Sequence, residues 1–273
     1  MQARTITLDD TPVRWLEQGS GPPVVLVHGI PTSPALWRHV VPLLPDLRLL
    51  AFEMTGYGDS IPAGKDRDLS IGAQADRLNA WIEQLDLGPA TLVGHDLGGG
   101  VVHIAAIRRP DLCAGLMITN GIGYDSWPIL SVKVMRAGAP LLSRLPAPAL
   151  KPALGMLLAR GHDDAGMAKE SLSVHFRPYD EHGGGKAMAR QVSALDVRDT
   201  LAVQDRLPSL GVPARIVWGV ADAFQKIEYG ERFARDLGTT VHRIEGGKHF
   251  TPEDHPDVIA EQVRSLVAEV ARQ

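Results

Sequence analysis

Cysteine is all but missing. Cys113 is the only one in the chain, so no intramolecular disulfide framework can form, and a reducing, cytoplasmic setting is the expectation. It lies between a helix end and an apolar run and reads as a small buried residue rather than a reactive thiol. Long apolar runs are missing too. No uncharged stretch reaches the roughly 18 residues that a spanning helix needs. The opening segment, MQARTITLDD, has no apolar core of a secretory signal, so export is not expected. Neither charge sign dominates: 28 Lys and Arg stand against 32 Asp and Glu. They are mixed along the chain, which argues against a nucleic-acid footprint or a basic membrane face. Internal repeats and low-complexity tracts are also absent.

What remains is an ordinary globular composition, with 44% hydrophobic and 22% charged residues over 273 positions. That length suits one α/β domain on one large sheet. Arg4–Leu8 and Val13–Glu17 read as a strand pair around an Asp-Asp-Thr-Pro turn. Val24–Val27 is a short, wholly apolar run of the kind buried on both faces of a parallel sheet. A helix is expected over Pro34–Leu44, with Ser33 as its N-cap. Ser70 opens an amphipathic helix to about Leu85. Further strands are expected at Arg48–Phe52, Ala90–Val93, Leu116–Thr119, Arg215–Trp218 and Val241–Glu245, and further helices at Val101–Arg108 and Val258–Ala271.

The alternation predicts an α/β fold: a mostly parallel central sheet with helices on both faces. Between Tyr124 and Leu207 the periodicity is helical, prolines cluster, and no strand is indicated. This predicts a helical lid, 124–207, inserted between core segments 1–123 and 208–273. The apolar stretch from Val132 to Arg160 is broken by Lys133, Arg136, Arg144 and Lys151, ends at Arg160, and holds several prolines, so it reads as lid rather than membrane segment.

Ligands of open parallel sheets bind at the carboxyl ends of the strands, and four motifs fall there. They are His28-Gly-Ile-Pro, Gly56-Tyr-Gly-Asp-Ser, Gly94-His-Asp96-Leu-Gly98, and Trp218-Gly-Val-Ala-Asp222 followed by Gly246-Gly-Lys-His249-Phe. The third has the form of a nucleophile elbow, G-x-(nucleophile)-x-G, on a strand-to-helix turn. The central residue is then held in a strained conformation at a helix N-terminus, where backbone N–H groups favour negative charge. Here that residue is an aspartate, expected to stay ionised and able to attack.

These motifs resemble the α/β-hydrolase superfamily, and within it the haloalkane dehalogenase and epoxide hydrolase branch. His28-Gly-Ile-Pro-Thr-Ser with Trp37-Arg38 is similar to the dehalogenase oxyanion loop. Gly246-Gly-Lys-His249-Phe with Glu253-Asp-His-Pro-Asp257 is similar to the histidine loop of either group. The resemblance implies a nucleophile, acid and base at Asp96, Asp222 and His249. It also implies an ester intermediate on Asp96, hydrolysed by water that His249 activates, with Ile30 and Leu97 N–H groups as the oxyanion hole. Asp222 competes with a simple turn role. The rival acid position, at the end of the strand after the elbow, holds Asn120. No cofactor and no metal are implied. His162, Asp163, Asp164, His175 and His182 match no metal-ligand pattern and are read as solvated lid residues. His28 and His95 are expected to bond loop backbone, and Trp37, Trp81 and Trp218 to pack.

The leaving group is where this chain departs from its relatives. Dehalogenases of this branch hold halide with an asparagine in the oxyanion loop and a tryptophan after the nucleophile, and here those positions are Ile30 and Leu97. Epoxide hydrolases protonate the leaving oxygen, usually with lid tyrosines. Tyr179 and Tyr124 are the candidates, and Trp127 is a candidate N–H donor or pocket wall. The reading therefore leans to epoxide opening, with Tyr179→Phe expected to depress turnover strongly. Haloalkane hydrolysis by the same triad is the alternative. A cofactor-independent lyase, or a receptor with no turnover, is a further one. The expected partners are a small hydrophobic substrate and water, without nucleic acid or membrane. The sequence leaves a homodimer open.

Overall fold

A computed structural model describes all of residues 1–273. Eight strands form one sheet: β1 (Gln2–Leu8), β2 (Thr11–Gln18), β3 (Pro23–Val27), β4 (Arg48–Glu53), β5 (Ala90–His95), β6 (Cys113–Thr119), β7 (Ala214–Gly219) and β8 (Val241–Ile244). Their order is β1-β2-β4-β3-β5-β6-β7-β8. β2 pairs antiparallel with both neighbours, and every other pairing is parallel. The central strand β3 is apolar throughout because both its faces are covered. Val25 and Val27 enter one core while Val24 and Leu26 enter the other, which is the period-2 alternation of a pleated strand.

Helices α1 (Ile71–Gln84) and α2 (Leu97–Arg108) follow β4 and β5. Ser70 caps α1 by accepting from the Ala73 N–H at 3.2 Å. Almost every residue of α2 is buried, as expected of a helix apolar on all sides. Between β6 and β7 the chain is helical: α3 (Leu130–Ala137), α4 (Ala139–Leu142), α5 (Ala147–Gly161), α6 (Ala165–His182), α7 (Gly184–Ser193) and α8 (Arg198–Leu201). The chain then completes the sheet with α9 (Ile227–Asp236), α10 (Thr251–Asp254) and α11 (Pro256–Val270). No helix is long and apolar enough to cross a membrane.

The helix expected over Pro34–Leu44 does not form as one piece. Two short 3₁₀ turns, Pro34–Trp37 and Val41–Leu43, take its place. Ser33 does not cap the first of them, and its Oγ instead lies 3.2 Å from His175 Nδ1 in α6. Tertiary packing against α6 has won over the local capping preference. The second correction concerns the lid histidines. His162 and His175 are buried, not solvated. His162 Nδ1 donates to Asp254 at 2.9 Å and its Nε2 faces Glu253 at 3.1 Å. His175 Nε2 donates to Glu253 at 3.0 Å. Arg38 also pairs with Glu253. A buried carboxylate beneath the histidine loop thus ties α5 and α6 to the core.

Candidate active site

Asp96 stands between β5 and α2 with φ 51° and ψ −121°, a backbone region that non-glycine residues rarely enter. Two glycines make this possible. A Cβ on Gly98 would collide with the Val27 carbonyl, and one on Gly29 would collide with the Asp96 carboxylate itself. The turn therefore packs directly against β3 and its following loop. The Ile30 N–H donates to Asp96 Oδ2 at 2.9 Å, and the Leu97 N–H also favours the charged carboxylate. His28 fixes the loop that carries Ile30. Its Nδ1–H donates to the Gly29 carbonyl at 2.9 Å, and its Nε2 accepts from the Met54 N–H at 3.2 Å. Burial pulls His28 down to a pKa of about 3, so it stays neutral and can play both parts.

Asp96 Oδ1 lies 3.9 Å from His249 Nε2. The other face of the imidazole is held by Asp222, whose Oδ2 accepts from Nδ1 at 2.8 Å. Asp222 in turn accepts from Asn120 Nδ2 at 2.7 Å and from the Phe224 N–H at 2.7 Å. Asn120 therefore does not replace Asp222; it supports it. Its Oδ1 also accepts from the Gly219 N–H at 3.0 Å, joining the ends of β6 and β7. His95, which burial keeps neutral with a pKa of about 3, donates through Nε2 to the His249 carbonyl at 2.8 Å.

Burial raises the Asp96 pKa, against the opposing pull of His249 and the two N–H groups. Burial alone would lower that of His249, but the charges of Asp222 and Asp96 outweigh it and leave the imidazole above its ordinary value. Burial likewise acts to raise Asp222, and the charge and hydrogen bond of His249 bring it below the usual carboxylate range. The Asp96 charge is thus one cause of the raised His249 value, and His249 is the largest pull against burial at Asp96.

The gap between them opens into a cavity of about 50 Å³ walled mainly by Ile30, Leu97, Ile122, Trp127, Ile129, Val132, Leu157, Leu195, Phe224 and Phe250. Its only polar side-chain groups besides the Trp127 indole are Asp96, His249 and Gln225. The three lid candidates are placed as follows. The Trp127 ring lines the cavity, while its N–H donates to Thr200 Oγ1 at 2.8 Å. The Tyr124 hydroxyl donates to Asp236 at 2.8 Å, and the Tyr179 hydroxyl to Gln191 at 2.7 Å. Neither tyrosine belongs to the cavity wall. Sequence reasoning overlooked Gln225. It has no motif of its own, and only its position three residues beyond Asp222 could have drawn attention to it.

The profile of the α/β hydrolase fold matches residues 22–256. A haloalkane dehalogenase of Mesorhizobium japonicum is 26% identical over 301 aligned positions, covering 97% of this chain and 91% of its own. The bifunctional epoxide hydrolase 2 of Sus scrofa is 35% identical over 121 positions, or 44% of this chain and 22% of its own length. Among solved structures, an α/β hydrolase fold protein from Burkholderia ambifaria superposes with a TM-score of 0.89 at 25% identity, covering 96% of this chain and 97% of its own.

Proposed function

The chain belongs to the α/β hydrolase fold family, and we propose that within it the protein is a hydrolase acting through a covalent alkyl ester on Asp96, with the triad Asp96, His249 and Asp222. One observation carries this reading. Asp96 Oδ2 is tied to the Ile30 N–H while Oδ1 faces the cavity and His249. The held oxygen is placed to become the ester carbonyl, and the free one to attack.

Attack by Oδ1 on an sp³ carbon breaks the bond to the leaving atom, which departs with the electron pair. Forming the ester removes the Asp96 charge, and with it one of the two charges that raise the pKa of His249. His249 can then release its proton to solvent as the counterpart of the departed halide, take one from the attacking water, and direct that water at the ester carbonyl. The oxyanion develops on Oδ2, which already accepts from the Ile30 N–H, with the Leu97 N–H as the second donor expected there. Collapse expels the alkoxide, which takes the proton from His249, and the carboxylic acid left on Asp96 then gives its proton to the neutral imidazole, which restores the carboxylate. Carboxylic esters fit poorly, because a carboxylate attacking a carbonyl would form an anhydride.

The cavity favours a carbon–halogen bond over an epoxide. No hydroxyl lines it, and an epoxide oxygen leaves as an alkoxide that needs a proton. A halide needs none. The near full-length similarity to a dehalogenase points the same way. Epoxide opening is the second reading. It is supported by the epoxide hydrolase similarity and by Tyr57, whose buried hydroxyl has no partner and lies close enough to Asp96 to feel its charge. The cavity is narrow, with room for about four water-sized spheres at roughly 10–15 Å³ each, so compact apolar substrates fit best.

The test is intact mass of His249→Ala after exposure to short haloalkanes and epoxides. The ester should accumulate, since its hydrolysis needs the imidazole. A haloalkane should add its mass less that of the hydrogen halide, and an epoxide its whole mass. The absence of an adduct from both classes would sink the ester mechanism.

A further inference from the structure

Gln225 is buried, with only 3% of its surface exposed. Its Oε1 is buried without a partner, and its amide nitrogen makes no hydrogen bond to any protein group, although the residue's backbone carbonyl accepts from Trp218 Nε1 at 2.9 Å. A buried amide oxygen without a partner costs free energy, and the unbonded amide nitrogen keeps both its hydrogens free to donate. The amide lies in the wall of the cavity that holds Asp96 and His249, among residues that are otherwise apolar.

We propose that Gln225 supplies the N–H donor to the leaving atom of the substrate, a role resting on the haloalkane reading above. Three facts converge on it. The first is elimination. Leu97 and Ile30 carry no side-chain donor, and the Trp127 N–H is already given to Thr200. Among the cavity's uncharged groups, only the Gln225 amide has free hydrogens.

The second is rigidity. The chain from Asp222 to Gln225 is pinned by the Phe224 N–H on Asp222 Oδ1 and by the Gln225 carbonyl on Trp218. The backbone that carries the amide is therefore fixed to the same loop that orients His249, which limits the positions from which the amide can donate. The third is chemical fit. A neutral amide N–H is a donor strong enough to stabilise a departing halide and too weak an acid to protonate an alkoxide. As the carbon–halogen bond breaks, negative charge grows on the halogen and the hydrogen bond from Nε2 strengthens; no proton is transferred.

The experiment measures single-turnover ester formation on His249→Ala, followed by intact mass, with matched chloro-, bromo- and iodoalkanes. Gln225→Leu is placed in the same background and its folding checked by thermal unfolding. Loss of the donor should slow ester formation from the chloroalkane about tenfold to a hundredfold and from the iodoalkane much less. Chloride is the poorest leaving group and depends most on help, and a packing defect would slow all three alike. Gln225→Glu, which keeps the length but presents a charge to the halide, should be slower still. Equal rates with and without the amide, or an equal loss across the three halogens, would overturn the assignment to Gln225 and leave the ester mechanism standing. No adduct from any haloalkane on His249→Ala with Gln225 intact would instead remove the haloalkane reading, and this role with it.

Discussion

The elbow between β5 and α2 and the lid between β6 and β7 belong to one cavity, yet they are built on different principles. At the elbow, backbone geometry dictates residue type. Asp96 sits at positive φ with its neighbours in contact with β3, and hardly any other arrangement of strand, turn and helix is sterically open. In the lid, helices pack through interchangeable apolar faces, and its chemistry depends on which side chains meet across elements. The Tyr124 and Tyr179 hydroxyls are spent on Asp236 and Gln191, and a sequence gives no warning of such pairings. A motif is readable in proportion to how much of it is backbone.

Three experiments would break or sharpen that contrast. Glu253→Gln should have the largest effect, because Glu253 is the buried carboxylate that binds the lid to the core. Removing its charge leaves His162 and Arg38 short of a counter-ion and should cost about 3 kcal/mol or more, read by denaturant unfolding and by faster proteolysis between α5 and α6. The pH dependence has a definite sign. Burial works against the charged form of His162, but Asp254 and Glu253 prevail and raise it to about 9. Its contribution is complete below the ordinary histidine value of 6.5 and fades as pH rises through about 9. Burial opposes Glu253 as well, yet the histidines and Arg38 hold it well below 4.5, so its contribution fades only as pH falls below that value. Proteolytic cutting of the lid should therefore be slowest between pH 4.5 and 6.5 and accelerate as pH rises toward about 9. Unchanged protection in Glu253→Gln would show that apolar packing alone holds the lid.

Asn120→Leu should come next. It removes one of the donors to Asp222 and a clasp between β6 and β7. Turnover should fall about tenfold, the scale of one hydrogen bond to a charged group, and the alkaline shift of His249 should be reduced in a pH profile. Tyr179→Phe should have the smallest effect. Its hydroxyl contacts Gln191 rather than the cavity, so stability should drop by about 1 kcal/mol with kcat nearly unchanged. A large loss of kcat would restore the tyrosine as a proton donor and, with it, the epoxide reading.

Much of the core was legible. Val24–Val27 announced a doubly covered strand, Ser70 a capped helix, and Gly94-His-Asp-Leu-Gly a sharp turn, since each signal is local and repeats a steric rule. The Pro34–Leu44 helix was misjudged because Ser33 has a remote partner in His175 that local propensity cannot register. The burial of His162 and His175 was missed for the same reason. Their counter-charge, Glu253, lies about 80 to 90 residues away in sequence.

By itself the sequence determined that the chain makes an α/β sheet with a helical insertion, and which acidic residue stands at the elbow. Those outcomes follow from period-2 and period-3.6 patterning and from the few residues a tight turn admits. Only the tertiary structure decided which polar groups face the cavity and which are consumed elsewhere. That depends on pairings between side chains far apart along the chain, which leave the lid tyrosines outside the cavity wall and Gln225 within it.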